Sequence, residues 1–254
     1  MPSTRTIYTS SLVKKELSTF FNVPVFIINA GFGVLLFIIA VIAISIKYES
    51  VVTMLTGGEH PAITIDKLNS YLPNIVYYLV MLSACTTSIT SSMISLEGRN
   101  FNILKTLPVK SAKVLMSKIY ASLLITVPAY IIGSIVLFFR LNIGIIDSLI
   151  ILILCVLLPL LSGLIGIIIN IKYPKLDAEN ATEVVKQSMS SFVSVLIGFT
   201  LIFINYLISQ FTSGFINSST ILLLIYLLFN ALLVIILYIY LSKVSIKAYE
   251  SITA

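Results

Sequence analysis

The chain alternates between long apolar runs and short polar breaks, and the alternation predicts its elements. Apolar runs cover about residues 25–46, 72–95, 114–139, 148–171, 189–211 and 220–241. Each approaches or exceeds the roughly 20 residues a helix needs to cross a hydrocarbon core, so six transmembrane helices are expected. Between them lie a polar loop at 47–71, holding Gly57, Gly58, His60 and Pro61, and two long polar breaks at 95–118 and 172–188. Ahead of the first run, residues 12–21 read as a short amphipathic helix. Val13, Leu17, Phe20 and Phe21 share one face, Lys14, Lys15, Ser18 and Thr19 the other. Ser10 or Ser11 can cap its start and Pro24 closes it. A basic amphipathic helix of this kind lies in the membrane interface. The competing reading, the basic start of a signal peptide, conflicts with a following apolar run that is too long and has no small-residue cleavage site.

Composition agrees with the pattern. Of 254 residues, 58% are hydrophobic and only 10% are charged, with a mean hydropathy of +1.09. Soluble domains are about 25% charged, so a water-soluble fold is excluded and the lipid bilayer is the first partner. The net charge of +6 raises the question of nucleic acid. The basic residues, however, sit in the breaks between apolar runs, which is the positive-inside pattern and needs no nucleic acid. With the N-terminus inside, only Lys47, Lys67 and Arg140 of the sixteen basic residues fall on the outer side. Both termini and both long breaks are therefore expected in the cytoplasm. The whole chain, 1–254, reads as one all-α membrane domain in which 1–22 is a cytoplasmic start with the interfacial helix. Cys85 and Cys155 lie inside apolar runs and read as small buried hydrophobes. Abundant Ile, Lys and Asn without Trp point to an AT-rich bacterial genome, and so to a bacterial cell membrane.

No chemistry of its own is visible in the chain. It has no G-x-x-x-x-G-K-[ST] phosphate loop, no H-E-x-x-H and no G-x-S-x-G. His60 is its single histidine, which leaves no basis for a histidine-rich metal site. No catalytic residue, cofactor or metal is expected, and the chain is not read as an enzyme. Intramembrane charges mark ion and proton pathways, and no apolar run carries a central Asp, Glu, Lys or Arg. Asn29, Asn205 and Asn230 are the strongly polar residues singled out in the runs, and interhelical hydrogen bonding is the role expected of them. The second run is dense in hydroxyls, at Ser83, Thr86, Thr87, Ser88, Thr90, Ser91 and Ser92. These fit close helix packing, as in a dimer seam, or alternatively a path for an amphipathic substrate.

The break at 95–118 carries Arg99, Lys105, Lys110, Lys113 and Lys118 against one acid, Glu97. Phe101, Leu104 and Leu107 recur at helical spacing with Ile103 beside them, so 97–107 is expected to form a short helix. Pro108 stops it, and Ser111 is placed to cap the third span. Spacing alone leaves two readings of this helix: contact with anionic headgroups, or docking of its apolar face on a soluble partner. In the second break, Pro174 ends the preceding helix and Asn180 with Glu183 resembles a capping box. By spacing it is a solvated turn followed by a short helix.

The segment SLEGRNFNILKTLPVKSAKVLMSKI resembles the S-x-E-G-[KR]-N-F-x-x-L-K-x-x-P stretch of bacterial type-2 (ABC-2) ATP-binding-cassette exporter permeases, through Ser95, Glu97, Gly98, Arg99, Asn100, Phe101, Leu104, Lys105 and Pro108. YPKLDAENATEVVKQS is similar to their F-P-K-x-x-x-x-N-E-x-x-V-V-K-Q-S stretch, through Pro174, Lys175, Asn180, Val184, Val185, Lys186, Gln187 and Ser188, with Tyr173 as the aromatic. LVKKELSTFFNVPVFIINAGFG looks like the start of a membrane half in the same family. The resemblance implies a permease subunit of an ABC exporter, driven by a separate ABC ATPase subunit. It implies that 12–21 is a connecting helix and 97–107 the main coupling helix. Glu97, Arg99, Asn100, Phe101, Leu104 and Lys105 would then touch the ATPase, and Asn180, Glu183 and Lys186 would add a second contact. Many relatives are about twice as long and match through their second half, so a second permease half, from a homodimer or a partner half, is also implied. The reading from a different class is a non-transporting membrane assembly or sensor subunit that binds a cytoplasmic partner.

Overall fold

The computed structural model describes residues 4–47, 61–106, 108–178, 180–212, 215 and 218–252. His60 with the Gly57–Gly58 pair, and Leu107, lie outside the described residues. Among the described residues every element is helical. α1 (Thr4–Asn22) precedes a bent pair, α2 (Pro24–Ala30) and α3 (Phe32–Ile46). α4 (Pro61–Thr86) leads through irregular chain into a 3₁₀ turn, Ser95–Asn100, and the short α5 (Phe101–Thr106). Then come α6 (Ser111–Leu141), α7 (Ile145–Lys172), the short α8 (Ala181–Gln187) and α9 (Met189–Thr212). α10 (Ser219–Tyr240) continues through a π-helical turn, Leu241–Ser245, into α11 (Ile246–Ser251).

The six apolar runs all coincide with helix, but they do not all form straight spans. Four helical stretches are long and apolar enough to cross a membrane, namely Ser111–Leu141, Ile145–Lys172, Thr182–Thr212 and Ser219–Ser251. The first run is broken at Gly31, where α2 and α3 meet at 63°, and counts as a fifth span if the pair is taken together. The second run, expected as one helix over 72–95, stops being α-helical at Thr86. Its apolar helical part, Tyr71–Thr86, is shorter than a span.

α7 is the axis of the bundle. Its apolar window is 67% buried, against 17% for the Ser219–Ser251 helix at the periphery. It packs on α4, α6, α9 and α10, and the main core gathers Phe37, Tyr77, Met81, Tyr130, Leu154 and Tyr226 around it. The outer surface stays apolar at Ile39, Phe139, Phe211 and Leu228, as lipid contact requires and water contact would not favour.

The N-terminal helix differs from expectation in its length and its inward face. It begins by Thr4, and Leu12, Glu16 and Phe20 form the buried stripe at i, i+4, i+8. Val13 and Leu17 are half-buried at the edge of that stripe, while Phe21 is 61% exposed. The helix is thus docked on the bundle through a face that includes an acid.

Candidate functional site

The breaks in the first and second apolar runs meet one another. Breaking a helix inside a span frees backbone donors and acceptors, and each must find a partner away from water. The Ser88 N–H donates to the Ala30 carbonyl at 3.0 Å, joining the end of α2 to the residues just past α4. Gly33, two residues beyond the bend, lets α3 close onto α4. A Cβ there would collide with the Ser83 carbonyl, and the Ser83 hydroxyl already donates to the Gly33 carbonyl at 2.5 Å.

Residues 87–94 then run through the interior without regular helix, and hydroxyls from neighbouring helices satisfy them. Ser162 donates to the Thr87 carbonyl at 3.2 Å, and Ser190 to the Ser91 carbonyl at 2.7 Å. The Thr87 and Tyr130 hydroxyls lie 3.2 Å apart. Asn170, near the end of α7, does most. Its amide oxygen accepts the N–H groups of Ile94 at 2.7 Å and Ser95 at 3.3 Å, and its amide nitrogen donates to the Ser95 hydroxyl at 2.7 Å and to Ser190 at 3.1 Å. The hydroxyl-rich second run is therefore an internal backbone support. Its serines at 83, 91 and 92 are fully buried within this chain and not on a free seam. Beside the break, Thr87, Ser88, Ser162 and Ser194 line a pocket of about 10 Å³, near the smallest volume that holds one water.

One helical turn further on, three charges are sequestered together and a fourth, Lys15, meets them from the half-exposed edge. The Lys118 ammonium, on α6 and wholly buried, lies 2.7 Å from Glu16 and 2.6 Å from Glu97, and donates to the Met93 carbonyl at 3.1 Å. Lys15 closes the group at 2.5 Å from the other Glu97 oxygen. Two lysines balance two glutamates, so the cluster is neutral and each charge has a partner, the condition for burying ions without a large penalty. Burial pushes the Glu97 carboxyl up, but Lys118 and Lys15 outweigh it and hold the group below its ordinary value. The cluster clamps α1, the Ser95–Asn100 turn and α6 into one unit. Gly98 allows the turn to reverse there, with φ of 49°, a conformation that disfavours any residue with a Cβ.

A second polar group ties α4, α9 and α10. Tyr77 donates to the Asn205 amide oxygen at 2.8 Å, Asn230 donates to the Tyr77 hydroxyl at 3.2 Å, and Tyr77 stacks on Tyr226 at 4.4 Å. Asn205 and Asn230 thus bond between helices. Asn29 instead bonds the Val25 carbonyl of its own helix at 2.9 Å. The Asn230 amide oxygen is buried and unpartnered among the described residues.

The residues expected to touch a partner are spread between interior and surface. Glu97 belongs to the ion cluster. Phe101 is fully buried, edge-on to Tyr249 of α11 at 5.3 Å, so the apolar docking role expected of it is taken by an internal contact. Lys105 donates to the Glu250 carbonyl at 2.9 Å and to the Ile252 carbonyl, and lies over the Phe101 ring. Asn100 is exposed, as is Ile103 at 61%. Arg99, Leu104 and Lys186 lie in the turn, α5 and α8, and their side chains are outside the described set. Ser111 does not cap α6; it donates to Glu250 at 2.7 Å. Asn180 does cap α8, accepting the Glu183 N–H at 3.0 Å, while the Glu183 carboxylate meets Lys175 at 2.5 Å. Sequence reasoning missed Glu16 and Asn170. A lone acid on the Leu12–Phe20 stripe and an amide opposite a serine-rich run were the available signals.

Apolar helices of spanning length with an apolar exterior define a multi-pass membrane protein. The chain belongs to a family described as membrane proteins of 12 TMs, whose model matches residues 63–244. No curated protein and no solved structure matches it. The family match corrects the resemblance to type-2 ABC exporter permeases. That likeness rested on two short loops and the N-terminal stretch, and part of the loop pattern is turn chemistry: Gly98 at a positive φ and Asn180 capping a helix. The family match instead runs through the spans themselves.

Proposed function

We propose that this chain is the membrane-embedded half of an export permease in a bacterial cell membrane, driven by ATP that a separate ATPase subunit hydrolyses. The observation that carries the proposal is the paired breaks at Gly31 and Thr87, bonded to each other through Ala30 and Ser88. Discontinuous helices that meet inside a bundle recur where transporters bind and release substrate. Two such helices held by a few hydrogen bonds can part without unfolding the spans around them.

Energy has to come from outside the chain. It carries no phosphate loop and no central charge in an apolar run that could relay an ion. With the N-terminus inside, the positive-inside rule would put both termini, α5 and α8 on the cytoplasmic side, where a soluble ATPase could reach them. Motion of α8 would pass to α2 through Val185, which packs in one cluster with Phe20, Phe26, Ala30 and Met93. A second half, either another copy or a partner chain, would complete the permease.

The second reading is a non-transporting assembly or sensor subunit, favoured by the pocket at the breaks, which has room for about one water. The test is whether the chain, tagged and purified from its native membrane, carries an ATPase subunit with it, followed by reconstitution of the pair. Ile103→Asp, at an exposed position on α5, is expected to abolish co-purification while the variant remains monodisperse. Unchanged co-purification overturns the ATPase contact, and a complex whose ATPase rate responds to no amphiphile favours the sensor reading.

A further inference from the structure

We propose that the groove between α1 and α6 is a seat for one anionic glycerophospholipid. The groove holds about 1000 Å³, the upper size of a small-molecule site. Its rim carries Lys14 on α1 and Lys113 on α6, and its wall is Tyr120, Leu124 and Val127 of α6 with Val156 of α7. Val13 and Leu17, on the edge of the buried stripe of α1, close the opposite wall.

Charge, depth and chemistry agree on the occupant. No Asp or Glu lines the groove, and among the described residues neither Lys14 nor Lys113 has an ion-pair or side-chain hydrogen-bond partner. Lys15, the next residue, is committed to Glu97 at 2.5 Å, so α1 divides its adjacent lysines between the ion cluster and the groove. Two unpaired ammonium groups at one end of an apolar trough suit a phosphodiester at the headgroup and acyl chains below it. The stretch of α6 from Lys113 to Val127 is about 21 Å long at 1.5 Å per residue. One leaflet with its headgroup layer is about 20–22 Å deep. A soluble anion would use the rim and leave the trough empty, whereas a zwitterionic lipid would fill the trough and bring no net charge to the lysines.

The test is native mass spectrometry of the full chain, released from detergent after titration with phosphatidylglycerol or phosphatidylcholine. One phosphatidylglycerol per chain is expected to survive activation that strips phosphatidylcholine. Lys14→Gln with Lys113→Gln is expected to weaken phosphatidylglycerol retention about 30-fold, from about 1 kcal/mol per basic residue near a lipid surface, with thermal stability unchanged. Leu124→Trp, at an exposed wall position, is expected to lower retention by filling the trough. Equal retention of the two lipids, or a double variant that binds like the wild type, overturns the proposal. So does a dimeric mass that Leu124→Trp converts to monomer, which would give the groove to a second copy. None of these readouts involves transport or an ATPase, so their failure is separate from failure of the permease reading.

Discussion

The carbonyl oxygen of Ala30 accepts the backbone N–H of Ser88 at 3.0 Å. One group is freed by the bend at Gly31 and the other by the end of α4, so two broken helices complete each other's backbone. Neither break would be tolerable alone in a water-free interior. Together they make an internal joint whose strength depends on a handful of hydroxyl and amide partners.

Asn170 is the partner with most to lose. Asn170→Leu leaves the Ile94 and Ser95 N–H groups without a buried partner, at about 1–3 kcal/mol for each, while the Ser95 hydroxyl keeps the Lys175 N–H at 2.9 Å. The melting temperature of the purified protein in detergent should fall by many degrees. Asn29→Leu, whose amide only bonds the preceding turn of its own helix, should change it little.

The ion cluster predicts a strong asymmetry between removing charge and removing a pair. Lys118→Met strands Glu16 and Glu97 with Lys15 alone and should cost about 3–5 kcal/mol. Adding Glu16→Gln to that variant should recover part of the loss. A double variant no more stable than Lys118→Met would show that the carboxylate of Glu16 does not need the ammonium.

Acid should act on the same cluster through Glu97. Its folded-state carboxyl is held below the ordinary value of 4.5, so its contribution is fully present above that pH. The contribution is lost as pH falls below 4.5 and through the folded-state value. Thermal melts taken from neutral to acid should show stability dropping in that window, and Glu97→Gln should flatten that part of the profile. A drop of equal size in the Glu97→Gln variant would assign the acid sensitivity elsewhere.

Gly98→Ala should strain the turn. At φ of 49° and ψ of −131° the nearest atom to an added Cβ is 3.7 Å away, so space is adequate and the penalty is backbone conformation, roughly 1–3 kcal/mol. Gly98→Asn should fare no better, since ψ of −131° lies outside the left-handed region that Asn tolerates. Gly144→Ala, with φ of −58° and open space around it, is the matched control and should be nearly neutral. Limited proteolysis at 95–106 would read out the difference.

Hydropathy located the helices because membrane-spanning segments must be apolar along their whole length. It could not locate the breaks, since Ser and Thr barely lower an apolar average and carry no information about backbone direction. The density of hydroxyls at 83–92 was the visible trace of the unwound segment, but the same residues also suit close helix packing. Local turn chemistry was legible where one residue decides it, as at Asn180 capping α8. Contacts between distant segments, such as Phe101 with Tyr249 or Lys118 with Glu16, were not. They depend on how helices lie side by side, which no periodicity within a single segment records.

The position of Lys118 bears on how the chain is made. Its two carboxylate partners precede it, Glu97 by 21 residues and Glu16 by 102. Both have therefore left the ribosome before α6 is inserted. An ammonium buried without a partner is costly, so the packed position of Lys118 depends on α1 and the turn at Glu97 being in place beside α6. Deleting or delaying the N-terminal helix would then leave Lys118 without Glu16 as α6 packs, long before any question of transport arises.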